Sequence, residues 1–185
     1  MSAVLQSSFD IELFDGPLGA EILGLDLSRP LSPRHFQRIH KAHLDHHLLV
    51  FRDQRITPQQ QVDFSRRFGP LQIHVLRNFQ LPSHPEVLII SNIIEDGRPI
   101  GLGDAGHFWH SDLSYKEKPS LGSLLHAQEL PEEGGDTLFA NMHLAWDTLP
   151  AALRHAVGDA RAEHSYLAQY EELRRRSPFR PALTQ

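Results

Sequence analysis

The apolar residues of this chain change period partway along it, and that change limits the folds open to it. Before residue 86 the spacing is that of amphipathic helices separated by short strands. From Glu86 onward it is close to two: "EVLIISNI", "HFWHSDLSY", "LGSLLHAQEL" and "DTLFANM" read as strands. "EDGRP" and "PEEGGD" between them carry turn chemistry. Helices and strands first, then a strand-rich half, predict an α+β or β-sandwich domain rather than alternating βαβ units. The 185 residues suffice for one domain with a real core. No repeat or linker divides them, so a single domain over 1–185 is expected.

Local signals place the helices. Phe9–Leu27 predicts short strands around "DGPLGA" and "LGLDL". Ser32 is a helix cap with Pro33 at the first helical position, and Phe36, Ile39 and His43 then share one face. "LLVF", Leu48–Phe51, predicts a short buried strand. Thr57, Pro58 and Gln60 form a capping-box pattern for a second helix, which Gly69 and Pro70 end. Further helices are expected around His143–Leu149, from Pro150 to about Val157, and near Ala168–Arg176. "RAEHSYL" between the last two is expected to be a strand.

Composition excludes several classes of function. The net charge is -5, and the only basic run, Arg174–Arg176, follows "YEE", so a solvated helix face is expected and not a nucleic-acid footprint. There are no cysteines, which removes disulfides, thiolate metal sites and cysteine nucleophiles. No apolar run approaches the roughly 20 residues of a membrane span, and the N-terminus lacks the pattern of a secretory signal. A soluble, cytoplasmic protein is expected.

The chemistry-bearing stretch is Gly106–Tyr115, "GHFWHSDLSY". It holds His110 and Asp112, separated by Ser111. With 13 histidines in the chain, about half an accidental His-x-Asp is expected, and a second, "HLD" at His43–Asp45, is present. Placement separates them. His43 and Asp45 fall on a helix, where residues two apart point away from each other. His110 and Asp112 fall on an expected strand, where they share a face. An imidazole and a carboxylate there would supply two donors of the two-histidine, one-carboxylate triad of non-haem Fe(II) oxygenases.

The surrounding residues resemble a known family. "WHSDLSYKEKPSLGSLLHAQELPEEGGDTLFANMHLAWDTLP" is similar to the core of the TauD/TfdA family, dioxygenases dependent on Fe(II) and 2-oxoglutarate. Trp-His-x-Asp, Pro119, "LP..GGDT" at Leu130–Thr137 and the following Trp146 carry the likeness. "RAEHSY" at Arg161–Tyr166, "GAEILGLDLSRPLS" and "VFRDQRITPQQQVDFSRRFGPLQIH" extend it over nearly the whole chain.

The resemblance implies a double-stranded β-helix (jelly-roll) core with flanking helices. It implies His110 and Asp112 as iron ligands and Thr137 as a hydroxyl donor to a 2-oxoglutarate carboxylate. His74, in "LQIH", matches a position that meets the anionic group of the substrate in the taurine enzyme. Arg77 stands where that enzyme has a tyrosine, and the segment before the metal motif is longer, so taurine itself is in doubt. A small anionic substrate, carboxylate or sulfonate, is expected, with dioxygen as co-reactant and a homodimer or homotetramer as the assembly.

The family's third iron ligand is a far-downstream histidine, followed by an arginine that clamps 2-oxoglutarate. Neither has a counterpart here. His126, His143, His155 and His164 are poor substitutes by position. The expectation is therefore a dioxygenase domain that lacks its C-terminal strands. The alternative is a catalytically inactive, truncated relative acting as a binding or interaction module.

Overall fold

The computed structural model of the chain describes residues 6, 8–177, 179 and 180. The tail at 181–185, where the sequence continues as "PALTQ", and most of the first seven residues lie outside them. The described residues hold helices and three small sheets, of three, two and two strands. They divide into two compact units.

The first unit joins the chain up to Phe68 to Gln128–Arg161. Its sheet begins with an antiparallel hairpin, β1 (Asp10–Leu13) and β2 (Ala20–Leu23), in register from Asp10 opposite Leu23 to Leu13 opposite Ala20. The two-residue β3 (Leu49–Val50) adds parallel to β2. Between them runs α1 (Pro33–His46), which starts where the sequence places it: the Ser32 hydroxyl accepts from the His35 amide at 3.1 Å. In α2 (Pro58–Arg66) the capping box forms in both directions. The Thr57 hydroxyl accepts from the Gln60 amide, and the Gln60 side chain accepts from the Thr57 amide at 2.7 Å.

Amphipathic spacing then builds the core. Ile39 and Ala42 of α1 and Val62 and Phe64 of α2 are buried with Phe9, Ala20, Ile22 and Leu25. Phe68 receives Phe36 and His43 of α1 edge-on and lies 5.5 Å, ring to ring, from Phe64. α2 ends at Arg66, short of Gly69. The short α3 (Met142–Asp147) and α4 (Ala151–Val157) follow the expected boundaries, with Gly158 capping α4.

The second unit joins Gly69–Ala127 to the chain from Ala162. Its described residues hold a 3-10 turn at Arg77–Phe79 and two ribbons: β4 (Gln80–Leu81) with β5 (His84–Leu88), and β6 (Ile94–Glu95) with β7 (Arg98–Pro99). α5 (Tyr166–Arg176), capped by Ser165, starts two residues before its expected beginning, so "RAEHSYL" is not a strand. Leu76, Phe79, Leu102 and Tyr170 form the core, flanked by Leu88, Ala105 and Tyr166.

Three expected strands are absent. "HFWHSDLSY", "LGSLLHAQEL" and "DTLFANM" carry no strand pairing. A strand exists only through a partner, and no described segment pairs with these. Their apolar residues accordingly face outward: Leu125, Leu138 and Trp109 are each about 70% exposed.

Candidate metal centre

His110 and Asp112 meet, though not by strand alternation. The chain turns at Asp112–Tyr115, with the Lys116 amide donating to the Leu113 carbonyl at 2.9 Å. Leu113 takes a left-handed backbone, φ 55°, a conformation that costs a non-glycine residue about 1–2 kcal/mol. His110 Nε2 and Asp112 Oδ1 end 3.4 Å apart. Two metal–donor bonds of about 2.1 Å at near-tetrahedral or octahedral angles span roughly 3.0–3.4 Å. The pair thus has the spacing of two donors on one cation.

Each donor has its other polar atom engaged. His110 Nδ1 lies 2.8 Å from the Phe108 carbonyl. A carbonyl only accepts, so Nδ1 donates to it and Nε2 is the ring nitrogen left facing Asp112. Asp112 Oδ2 accepts from the Ser123 hydroxyl, leaving Oδ1 toward His110. This is the outer support a metal-binding imidazole and carboxylate require. Sequence reasoning missed Ser123, because nothing in "LGSLL" marks it.

His74 belongs to the same unit and feels the charge of Asp112. Burial, aided by the Arg180 and Lys116 cations and opposed by Asp112, lowers its pKa below the ordinary 6.5, so the ring is neutral at pH 7. Nδ1 accepts from the Leu76 amide at 3.1 Å. The proton therefore sits on Nε2, a neutral donor suited to an anionic oxygen. Lys116 Nζ donates to Gln72 Oε1 at 2.7 Å, tying the segment before His74 to the residues after Asp112. Arg77 opens the 3-10 turn and is exposed.

Asp104 supports the approach to the metal motif. The Arg180 guanidinium donates to both its oxygens, at 2.7 and 2.8 Å, while its own side chain is 5% exposed and lies over the Tyr170 ring. Thr137 belongs to the first unit, where it is exposed in an irregular segment. His43 and Asp45 lie within α1 as expected, and Asp45 pairs instead with Lys41 at 2.6 Å. Among the described residues no group of three His, Cys, Asp or Glu side chains converges on one point. The residues present thus fit two donor positions of a divalent-cation site.

A histidine–carboxylate pair with both outer atoms anchored makes a candidate for two donors of a mononuclear metal centre. The profile described as "Taurine catabolism dioxygenase TauD, TfdA family" matches residues 10–184. The chain belongs to the TauD/TfdA family, whose members are Fe(II)- and 2-oxoglutarate-dependent dioxygenases.

Pentalenolactone F synthase of Streptomyces avermitilis is 37% identical over 175 residues, covering 91% of this chain and 57% of that protein. The alpha-ketoglutarate-dependent 2,4-dichlorophenoxyacetate dioxygenase of Cupriavidus pinatubonensis is 34% identical, covering 78% and 54%. Among solved structures, a taurine dioxygenase from Burkholderia xenovorans superposes with a TM-score of 0.69 at 33% identity, over 83% of this chain and 52% of that one. AAD-2 in complex with Mn(II) and N-oxalylglycine gives 0.66 at 28% identity, over 90% and 56%. The chain spans about half the length of the relatives it matches.

Proposed function

We propose that the protein works as a Fe(II)/2-oxoglutarate-dependent dioxygenase on a small anionic organic molecule. The observation that carries this is the 3.4 Å approach of His110 Nε2 to Asp112 Oδ1, with the remaining polar atom of each held by Phe108 and Ser123. In this reading His110 and Asp112 hold the iron, which supplies redox chemistry toward dioxygen when bound. A 2-oxo acid would be held beside them, with the Thr137 hydroxyl as a donor to its carboxylate, a role that rests on the family resemblance of "GGDT".

His74 and Arg77 receive the anionic group of the substrate. A neutral Nε2–H donor and a guanidinium suit a carboxylate, a sulfonate or a sulfate ester alike. The relatives are named for substrates of several kinds, phenoxyacetates and sulfate esters among them. The likeness to the taurine dioxygenase and AAD-2 structures supports a single jelly-roll domain. A cytoplasmic homodimer or homotetramer is part of the same reading.

A second reading is a catalytically inactive binding module, favoured by the absence of a third converging donor among the described residues. Succinate formation from 2-oxoglutarate separates the two. The protein is offered Fe(II), 2-oxoglutarate and dioxygen with a panel of carboxylates, sulfonates and sulfate esters. The dioxygenase reading predicts succinate that rises with one class of substrate and disappears in His110→Ala. Equal succinate from His110→Ala would sink it, and none from either would favour the binding module.

A further inference from the structure

We infer that His164 is a positioning residue, one that holds the turn carrying Asp112 through the hydroxyl of Ser114. Its purpose at a metal centre rests on the function proposed above, but the mechanical claim does not. The left-handed backbone at Leu113 directs Asp112 Oδ1 back toward His110. A leucine does not hold that conformation unaided, so the surroundings must over-determine it. Two local hydrogen bonds close the turn, Ser114 N–H to the Ser111 carbonyl at 3.3 Å and Lys116 N–H to the Leu113 carbonyl at 2.9 Å. The first is long, and neither reaches outside the turn.

Beyond the Ser123 hydroxyl on Asp112, anchors from outside the turn come from α5 and the residues leading into it. His164 Nδ1 and Ser114 Oγ share a hydrogen bond of 3.0 Å, one residue beyond Leu113. The Tyr115 ring lies 4.9 Å from that of Tyr166, and Tyr166 lies 5.4 Å from Tyr170. Tyr170 is 1% exposed in the core of the unit. Ser165 caps α5, so His164 adjoins the cap, two residues before the first residue of a helix already fixed by that core. Lys116 is anchored to Gln72 only through the tip of a long, flexible side chain. The Ser123 hydroxyl holds Asp112 on one side of the strained residue, and the His164–Ser114 bond is the short link on its other side.

Amide hydrogen exchange on the whole metal-free chain tests this. The Lys116 amide reports the turn, and the Leu102 amide, bonded to the Ile89 carbonyl at 2.9 Å, reports the fold of the same unit. In His164→Ala the Lys116 amide should exchange about five- to tenfold faster while Leu102 is unchanged. Ser114→Ala should match it, and the double variant should add little more. His164→Asn, which keeps a short polar group, should restore protection. Unchanged Lys116 exchange in His164→Ala would overturn the inference, and so would equal acceleration of Lys116 and Leu102. Should His164→Ala not fold, Ser114→Ala gives the same readout with a smaller change. Mn(II) titration of the same samples should show weakened affinity in the same order. Failure of the wild-type chain to take up Mn(II) would count against the metal function and leave the exchange result standing.

Discussion

Asp112 uses its two oxygens differently, and that asymmetry carries the site. One accepts from Ser123 and the other faces His110. Outer partners of this kind usually set metal affinity by 10–100-fold. Ser123→Ala should therefore weaken Mn(II) binding by about tenfold without lowering the unfolding midpoint, measured by titration and by urea denaturation. An affinity unchanged within twofold would show that Ser123 is a bystander. The His-x-Asp pattern was legible in the sequence, and so was its separation from His43 and Asp45, because helical spacing alone decides that. The manner of its meeting was not legible. A leucine gives no signal of a left-handed backbone, and the Ser123 hydroxyl and Phe108 carbonyl are marked by no local pattern.

At the scale of elements, what could be read depended on whether the cause was local. The caps at Ser32 and Thr57, and the stop at Gly158, lie within a turn of the helices they bound, and all three were legible. The strands expected after Glu86 depended on partners far along the chain, which an alternating pattern cannot supply. "RAEHSYL" misled because its Tyr166 is a bulky β-former by preference, while Tyr170 lies beyond that segment. Here they lie on α5, one turn apart, with their rings together.

That packing has a measurable consequence. Burial pushes the Tyr166 hydroxyl up to about 12, with the Tyr170 and Tyr115 rings adding to it, and burial raises Tyr115 and Tyr170 as well. A raised folded-state pKa means stability that is full below pH 10 and is lost as the pH climbs toward about 12. These are the chain's only 3 tyrosines. Tyrosinate absorbance should therefore lag behind that of the urea-unfolded chain throughout the range above pH 10. A tyrosine titrating in the native chain at or below 10 would contradict this packing.

Over the whole molecule, family membership is read from motifs spread along the chain, whereas the local geometry reaches only two of the metal donors. The described part of Gln128–Arg161 carries large exposed apolar side chains, among them Leu130, Leu138 and Met142. The strand period that the sequence shows in this region is thus real as a pattern but finds no partner among the described residues. Whether His110 and Asp112 hold a divalent iron beside a 2-oxo acid can be read from one titration. Fe(II) is titrated anaerobically into the protein with 2-oxoglutarate present, watching for the visible charge-transfer band of the chelate, with His110→Ala alongside. The wild type should give a saturable band that is lost in a folded His110→Ala. A band of equal strength in the variant, or none in the folded wild type, would contradict this assignment.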